Sequence, residues 1–454
     1  MTYQPIKAAI QCIVFLAILW GCDAAQEDIS GNPAFRLTYS LDTVKFDTLL
    51  TGRASVTKRF KVYNRNKRAV SLDEISLGTG DNSPYLLYVN GIEGKSFTDK
   101  VIYGRDSMLV LVEVDIDPQD EDTPYLIKDK VNFGYNGNLD TLGLVAWGQD
   151  AIYLDGKTLD CNTVWTKGKP YVLYDTIQVT EGCTLAVEAG ARIFIDNNSA
   201  LEINGTLSMT GSADDRIIVR NTRFDEDYLE QPGQWDAIFF SKTSTDNIID
   251  HAIIRNGDVG LWMVDGDGGQ NQLTINNTSI GNMSTAGILS NTAKLSMTNV
   301  EVFNCADDLL KVTGEGQATI DHCSFSNESY SFARSEPSLK FTNETNKAAL
   351  TLSITHSIIW GDLREELLIE SVQSAEIKNN IIRSNNKDWS ASNLLSQEFN
   401  YPNFLTIDKV HELKLDNTSV AIDKALESML ATDITGASRD DKPDLGAHEF
   451  IPKE

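Results

Sequence analysis

The sequence predicts an all-β chain in two parts, a β-sandwich followed by a parallel β-solenoid. Three observations carry that prediction. Across residues 179–219, apolar residues come in pairs two apart (Leu185/Val187, Ile193/Ile195, Leu201/Ile203, Leu207/Met209, Ile217/Val219), each pair fenced by Gly, Asn, Asp or Ser. Strands this short, with one inward face and no helical spacing between them, suit a chain wound into coils that stack by parallel pairing. Six hexapeptides, opened by His251, Asn277, Asn299, His322, His356 and Asn379, superpose at spacings of 26, 22, 23, 34 and 23 residues, a repeat of about one coil. Earlier in the chain the alternation is longer (Phe60/Val62, Val70/Leu72, Met108/Val110/Val112/Val114, Val131/Phe133/Tyr135), and the breaks are turn chemistry such as Asn136-Gly137. Roughly seven strands over that stretch fit a sandwich.

A chain of 454 residues is too long for one compact core unless much of it is a repeat array. Asp and Glu number 65 against 39 Lys and Arg, a formal net charge of -26. That surface repels polyanions at long range, so nucleic acid is excluded as a bulk electrostatic partner.

In chain order, residues 1–21 read as a secretory signal, with Lys7 before an apolar run from Ala8 to Trp20 that is too short to span a bilayer. Leu19-Trp20-Gly21-Cys22 resembles a bacterial lipobox, which implies cleavage before Cys22 and lipidation of that cysteine; Trp20 departs from the small residue usual there. Residues 22–32, with Gln26-Glu27-Asp28, look like the tethers of Bacteroidetes-type lipoproteins and imply an outer-membrane address, facing the periplasm or the outside. Residues 33–150 form the sandwich. Its stretch from Ser55 to Leu77 resembles the Ig-like modules of bacterial envelope and spindle-type proteins, with Thr57-Lys-Arg-Phe-Lys-Val-Tyr-Asn64 as a central strand.

Residues 151–450 form the solenoid. The run Val179-x2-Gly-x-Thr-Leu-x-Val-x2-Gly-x-Arg-Ile resembles the opening coils of right-handed parallel β-helix proteins, and Arg439 with Pro443-Asp444-x-Gly446-Ala-x-Glu449 resembles the motif that terminates their winding. Together they imply a right-handed parallel β-helix of roughly ten coils. The resemblance transfers no catalytic residue, since that fold serves lyases, hydrolases, adhesins and inert surface proteins alike. Trp165 and Lys169-Pro170-Tyr171 are expected to cap the open end, and the 34-residue step implies an inserted loop between Ser329 and Asn346.

Cys161 and Cys183 lie 22 positions apart, close to one coil; residues one coil apart sit about 4.8 Å apart, within disulfide range. They are a candidate disulfide, with buried free thiols as the alternative for these two and for Cys305 and Cys323. No CxxC spacing supports a zinc or redox centre.

His251, His322 and His356 occupy a repeat position that asparagine takes elsewhere, so their spacing follows from a corner ladder. Asp307 and Asp308, followed by Lys311, are the sharpest catalytic candidates, an acid pair similar to that of pectin-degrading hydrolases of this fold; the Gly-His-Gly and Arg-x-Lys of those enzymes are missing. A lyase would need carboxylates holding calcium, with Asp225, Asp227, Asp265 and Asp267 as candidates, and Arg223 or Arg255 as base. Calcium is the one cofactor the residues suggest. Trp235, Trp262, Trp360 and Trp389 are candidates for stacking on sugar rings, if they are exposed rather than core. The expectation is a lipid-anchored envelope scaffold or glycan-binding module; a polysaccharide lyase or hydrolase and an adhesin are the alternatives.

Overall fold

The computed structural model describes residues 27–452, apart from residue 54 and residues 226–227, 265–271, 329–331, 344–347, 396–401, 408–409 and 426–427. Cys22, Asp227, Asp265 and Asp267 therefore lie outside the described residues. The chain divides into two compact units after Gln149, with residues 120–123 belonging to the second.

The first unit is an Ig-like β-sandwich of two five-stranded sheets. One sheet runs Thr38–Tyr39, Lys58–Tyr63, Ser107–Val114, Tyr85–Val89, Ile92–Gly94, and the other Thr43–Leu50, Asn138–Gln149, Tyr125–Tyr135, Val70–Leu77, Ser96–Ile102. Strict alternation drives every second residue inward: Phe60, Val62, Val110, Val112, Val131 and Phe133 are at most 1 % exposed. Asn136 and Gly137 both take positive φ and close a two-residue hairpin, as their residue types favour. Thr43–Leu50 pairs in parallel with Asn138–Gln149, whereas the other strand pairs of the two sheets are antiparallel.

The second unit is a right-handed parallel β-helix with three faces. Tyr171–Tyr174, Thr176–Val179 and Thr184–Glu188 make one turn, and Arg192–Ile195 begins the next beside Tyr171–Tyr174. The first face stacks eleven described strands, from Ile152–Asp155 to Leu394–Leu395. The second and third faces are separate ladders until the long strands Ala286–Thr298 and Asp308–Asp321, which run across both, with a register shift between Asn291 and Ala293. Inward pairs such as Leu185/Val187, Leu207/Met209 and Leu273/Ile275 form one continuous core.

Each of the six hexapeptides is a first-face strand with a corner at either end. Their opening residues, His251, Asn277, Asn299, His322, His356 and Asn379, all have φ between 46° and 56°, a region that asparagine and histidine tolerate better than most. At the closing corner Asn256 donates to Asn221 Oδ1 at 2.9 Å, Asn282 to Asn256 Oδ1 at 3.4 Å, and Asn304 to Asn282 Oδ1 at 2.7 Å. The amide column satisfies buried polar groups where the backbone turns away from the sheet. Cys161 and Cys183 are bonded, one coil apart at the second-to-third corner, with Cα atoms 4.8 Å apart. At the same corner a side chain on Gly205 would meet Cys183 O at 2.1 Å, so the stacked turns there require glycine.

Three expectations are corrected. Tyr171 does not cap the end, since Tyr171–Tyr174 is paired on both sides, Ile152–Asp155 supplying an earlier rung; Trp165, on the end strand of the third face, is buried in the core and stacked on Tyr171 at 4.8 Å. The 34-residue step is not one loop, since Leu339–Thr342 within it is the second-face strand of that coil. The closing motif does not end the winding. Residues 430–450 run back beside the first face: Ala447 N donates to Ser324 Oγ, Gly446 N to His356 O, Asn299 to Thr432 O, and Arg216 bonds Ile434 O. Leu415, Ala421, Ala425 and Leu445 build a second small core over the outward side chains Ile358, Trp360 and Ile381.

Candidate glycan-binding face

Parallel in-register pairing places equivalent residues of successive coils in straight columns. On the outer side of the second face one such column runs Gln178, Glu202, Phe239, Trp262, Leu289, Lys311, Lys340, Leu368. Its neighbours in each strand point into the core, as with Leu261 and Met263 around Trp262. The column begins polar, where Gln178 and Asn204 hold Glu202, passes through an aromatic and aliphatic centre to two lysines, and ends at Leu368.

Trp262 is 38 % exposed and meets Phe239 edge-on at 5.6 Å. Lys311 stands two rungs from Trp262, about 10 Å at the ordinary strand spacing. Among the described residues it has no acidic partner within 4.0 Å. Lys340, one rung further, is paired to Asp308 at 3.1 Å. The column is bordered at the turn before each strand by Asp236, Asp258, Thr285 and Asp307, with Asp258 Oδ1 accepting from Ser284 and Thr285 at 2.6 Å each. Burial, and then Asp258 one coil on, push the Asp236 carboxyl above the usual range.

The structure brings some sequence candidates together and scatters others. Asp307 and Asp308 do not form an acid pair: Asp307 is exposed to solvent, whereas Asp308 is 6 % exposed and committed to Lys340. Trp235 and Trp360, each 1 % exposed, cannot stack on a ligand; their indole N–H groups are taken by Arg255 O at 2.8 Å and Glu328 Oε1 at 3.0 Å. Trp389 packs half-buried against the last coil of the core. Asp225 is held by Arg223 at 3.1 Å, and Arg223 lies 3.4 Å over the Tyr228 ring, which commits both to a surface loop rather than to calcium or proton abstraction. Arg255 bonds Ser279 at 2.6 Å and covers the Phe303 ring at 4.6 Å, so it too is structural. Cys305 and Cys323 are buried free thiols; burial pushes Cys305 up to about 12, which keeps it an unreactive thiol. Trp262, Lys311 and Asp307 remain together on one exposed surface.

Phe239, Leu289 and Lys340 escaped sequence reasoning. A signal existed: Trp262, Leu289 and Lys311 follow the closing asparagines 256, 282 and 304 by six or seven residues, a register visible once the hexapeptides are aligned. The surface stacks aromatic and aliphatic groups against a flat apolar ring face, offers a cation to a carboxylate or sulfate, and borders both with hydroxyl-accepting carboxylates.

The family described as "right handed beta helix region" matches residues 163–325. No curated protein sequence matches the chain. Among solved structures, pectate lyase Pel9A is 14 % identical over 66 % of this chain and 88 % of its own, at a TM-score of 0.29. A PapD-like domain of human CEP192 is 13 % identical over 28 % of this chain and 92 % of its own, at 0.18, and the Vibrio cholerae VesB protease is 16 % identical over 25 % and 31 %, at 0.17. Scores this low carry nothing about activity. The chain is a right-handed parallel β-helix protein with an N-terminal Ig-like β-sandwich.

Proposed function

We propose that the chain is a lipid-anchored cell-envelope protein whose β-helix binds an anionic glycan along the outer second face without cleaving it. The observation that carries this reading is the column Phe239, Trp262, Leu289, Lys311, which sets an apolar platform beside an uncommitted cation on a protein of net charge -26. An acidic chain gains nothing from bulk attraction to a polyanion, so binding must come from such a local arrangement. Lipidation at Cys22 is part of the proposal and accounts for the apolar leader and the cysteine that closes it.

The test is affinity electrophoresis and calorimetry of the full chain, in detergent, against acidic and neutral polysaccharides, with reducing ends and unsaturated products recorded in parallel. The expected result is binding of an acidic polysaccharide without new products, weakened about tenfold by Trp262→Ala and by Lys311→Ala, a loss of roughly 1.4 kcal/mol each. Product formation would make the chain a lyase or hydrolase. Retention of no polysaccharide, or retention unchanged in both variants, would reject the face. In cells fed a labelled fatty acid the protein should incorporate the label and Cys22→Ser should not; no incorporation by the wild type, or incorporation unchanged in the variant, would reject the anchor.

A further inference from the structure

The corner between the third and first faces carries the second polar column of the β-helix. Asn277 donates to Asp250 Oδ1 at 3.0 Å and Asn299 to Asn277 Oδ1 at 3.1 Å, while Asn299 Oδ1 accepts Arg439 at 3.0 Å. The relay stops there. His322, on the next rung, is fully buried, and neither of its ring nitrogens makes a hydrogen bond. Its Nδ1 lies 3.1 Å from Asp321 Oδ1 but out of line for one. His356, one coil on, brings its Nδ1 to 2.8 Å from the same oxygen, with the two imidazoles 4.7 Å apart.

An unpartnered buried imidazole costs about 1–3 kcal/mol, and asparagine, which holds this position elsewhere in the column, would avoid that cost. A metal ion on Nδ1 would supply one of the two missing partners, the one that faces Asp321. We propose that Asp321, His322 and His356 bind a divalent transition ion of the zinc class. One donor atom from each of the three lies within 4.8 Å of the others. Two imidazole nitrogens and one carboxylate oxygen suit zinc; calcium and magnesium ask for six or more oxygens. Ligands of a tetrahedral zinc at bond lengths of about 2.1 Å sit about 3.4 Å apart, so the 3.1 and 2.8 Å separations need to open by a few tenths of an ångström. The Asp321 side chain is 34 % exposed, which leaves the fourth position to water, and its Oδ1 also accepts the Thr355 hydroxyl at 2.8 Å, a bond that the opening would lengthen. Asp321 and His322 belong to one coil and His356 to the next, across the longest step of the repeat, 34 residues. The ion would clip two successive coils across one of the solenoid's long steps, as the disulfide clips its opening.

The experiment uses the full chain without a histidine tag, stripped with chelator, then titrated with Co²⁺ followed by visible absorption and displaced with Zn²⁺. One Co²⁺ per chain with tetrahedral absorption is expected, together with a melting temperature that rises on adding Zn²⁺. His322→Asn and His356→Asn install the residue the column uses elsewhere and should keep the β-sheet circular dichroism while losing both effects. Asp321→Asn, which keeps the shape, should lose them as well. Absence of stoichiometric binding, or binding unchanged in the His322→Asn/His356→Asn double variant, overturns the site.

Discussion

Asn282 shows what a single corner residue does. It is 3 % exposed, has φ 59°, gives its amide to Asn256, receives that of Asn304, and reaches Glu230. Alanine there would remove the Asn304 amide's bond to Oδ1 and the bond to Asn256 Oδ1 from a buried ladder, and would hold a Cβ in left-handed backbone. Asn282→Ala should lower the free energy of unfolding by about 3 kcal/mol in urea titration; Asn282→Gly, free of the backbone penalty, should recover about 1 kcal/mol of it. Equal losses in the two variants would mean that the amide ladder, not the backbone, carries the whole cost. The ladder itself was legible, because the asparagines recur at the coil period. The residues that break it were legible only as substitutions: sequence places His322 in the column, but not its isolation from Asn299, which depends on Arg439 reaching in from 140 positions away.

At the scale of elements, the first face is bounded on its outer side by the returning segment, and this was the least readable part of the fold. Ser279–Met283 and Ile358–Gly361 are buried throughout, inward and outward residues alike. Ile358-Ile-Trp360 hints at two-sided burial, yet nothing local says that residues 430–450 supply the cover. Beside the small apolar core around Leu445, polar contacts hold that cover. Glu301 bonds His448 at 2.8 Å and also takes Ser279, while Arg439 pairs Glu449 at 3.1 Å with both side chains at most 5 % exposed. Burial opposes ionisation of Glu301, but His448, then Arg255 and Ser279, outweigh it and hold the carboxyl down at about 2. A carboxyl depressed in the folded state stabilises fully above its unfolded value near 4.5 and loses that contribution as pH falls towards 2. Wild type should therefore exceed Glu301→Gln in stability by on the order of 3 kcal/mol at pH 6, and the gap should close between about pH 4.5 and 2. Urea midpoints of both proteins at pH 6 and pH 3 measure it; a gap that stays constant would show that the Glu301 charge does not secure the segment.

For the whole molecule, charge sets a condition on any polyanion that docks. A formal charge of -26 repels it, whereas Lys311 attracts it at contact. These two terms differ in range, and salt separates them: the screening length is about 30 Å at 0.01 M, about 8 Å at 0.15 M and about 3 Å at 1 M. At the lowest salt the repulsion from the entire surface reaches the approaching chain; near 0.15 M it is largely screened, while the contact pair is not; at 1 M both are gone and only stacking on Trp262 and Phe239 is left. Affinity for an acidic polysaccharide should thus rise from 0.01 to about 0.15 M salt and then fall towards 1 M, and Lys311→Ala should keep the rise but lose the fall. A monotonic fall from the lowest salt would instead place the binding in an extended basic groove, which the second-face column, with two lysines above an acidic start at Glu202, does not provide.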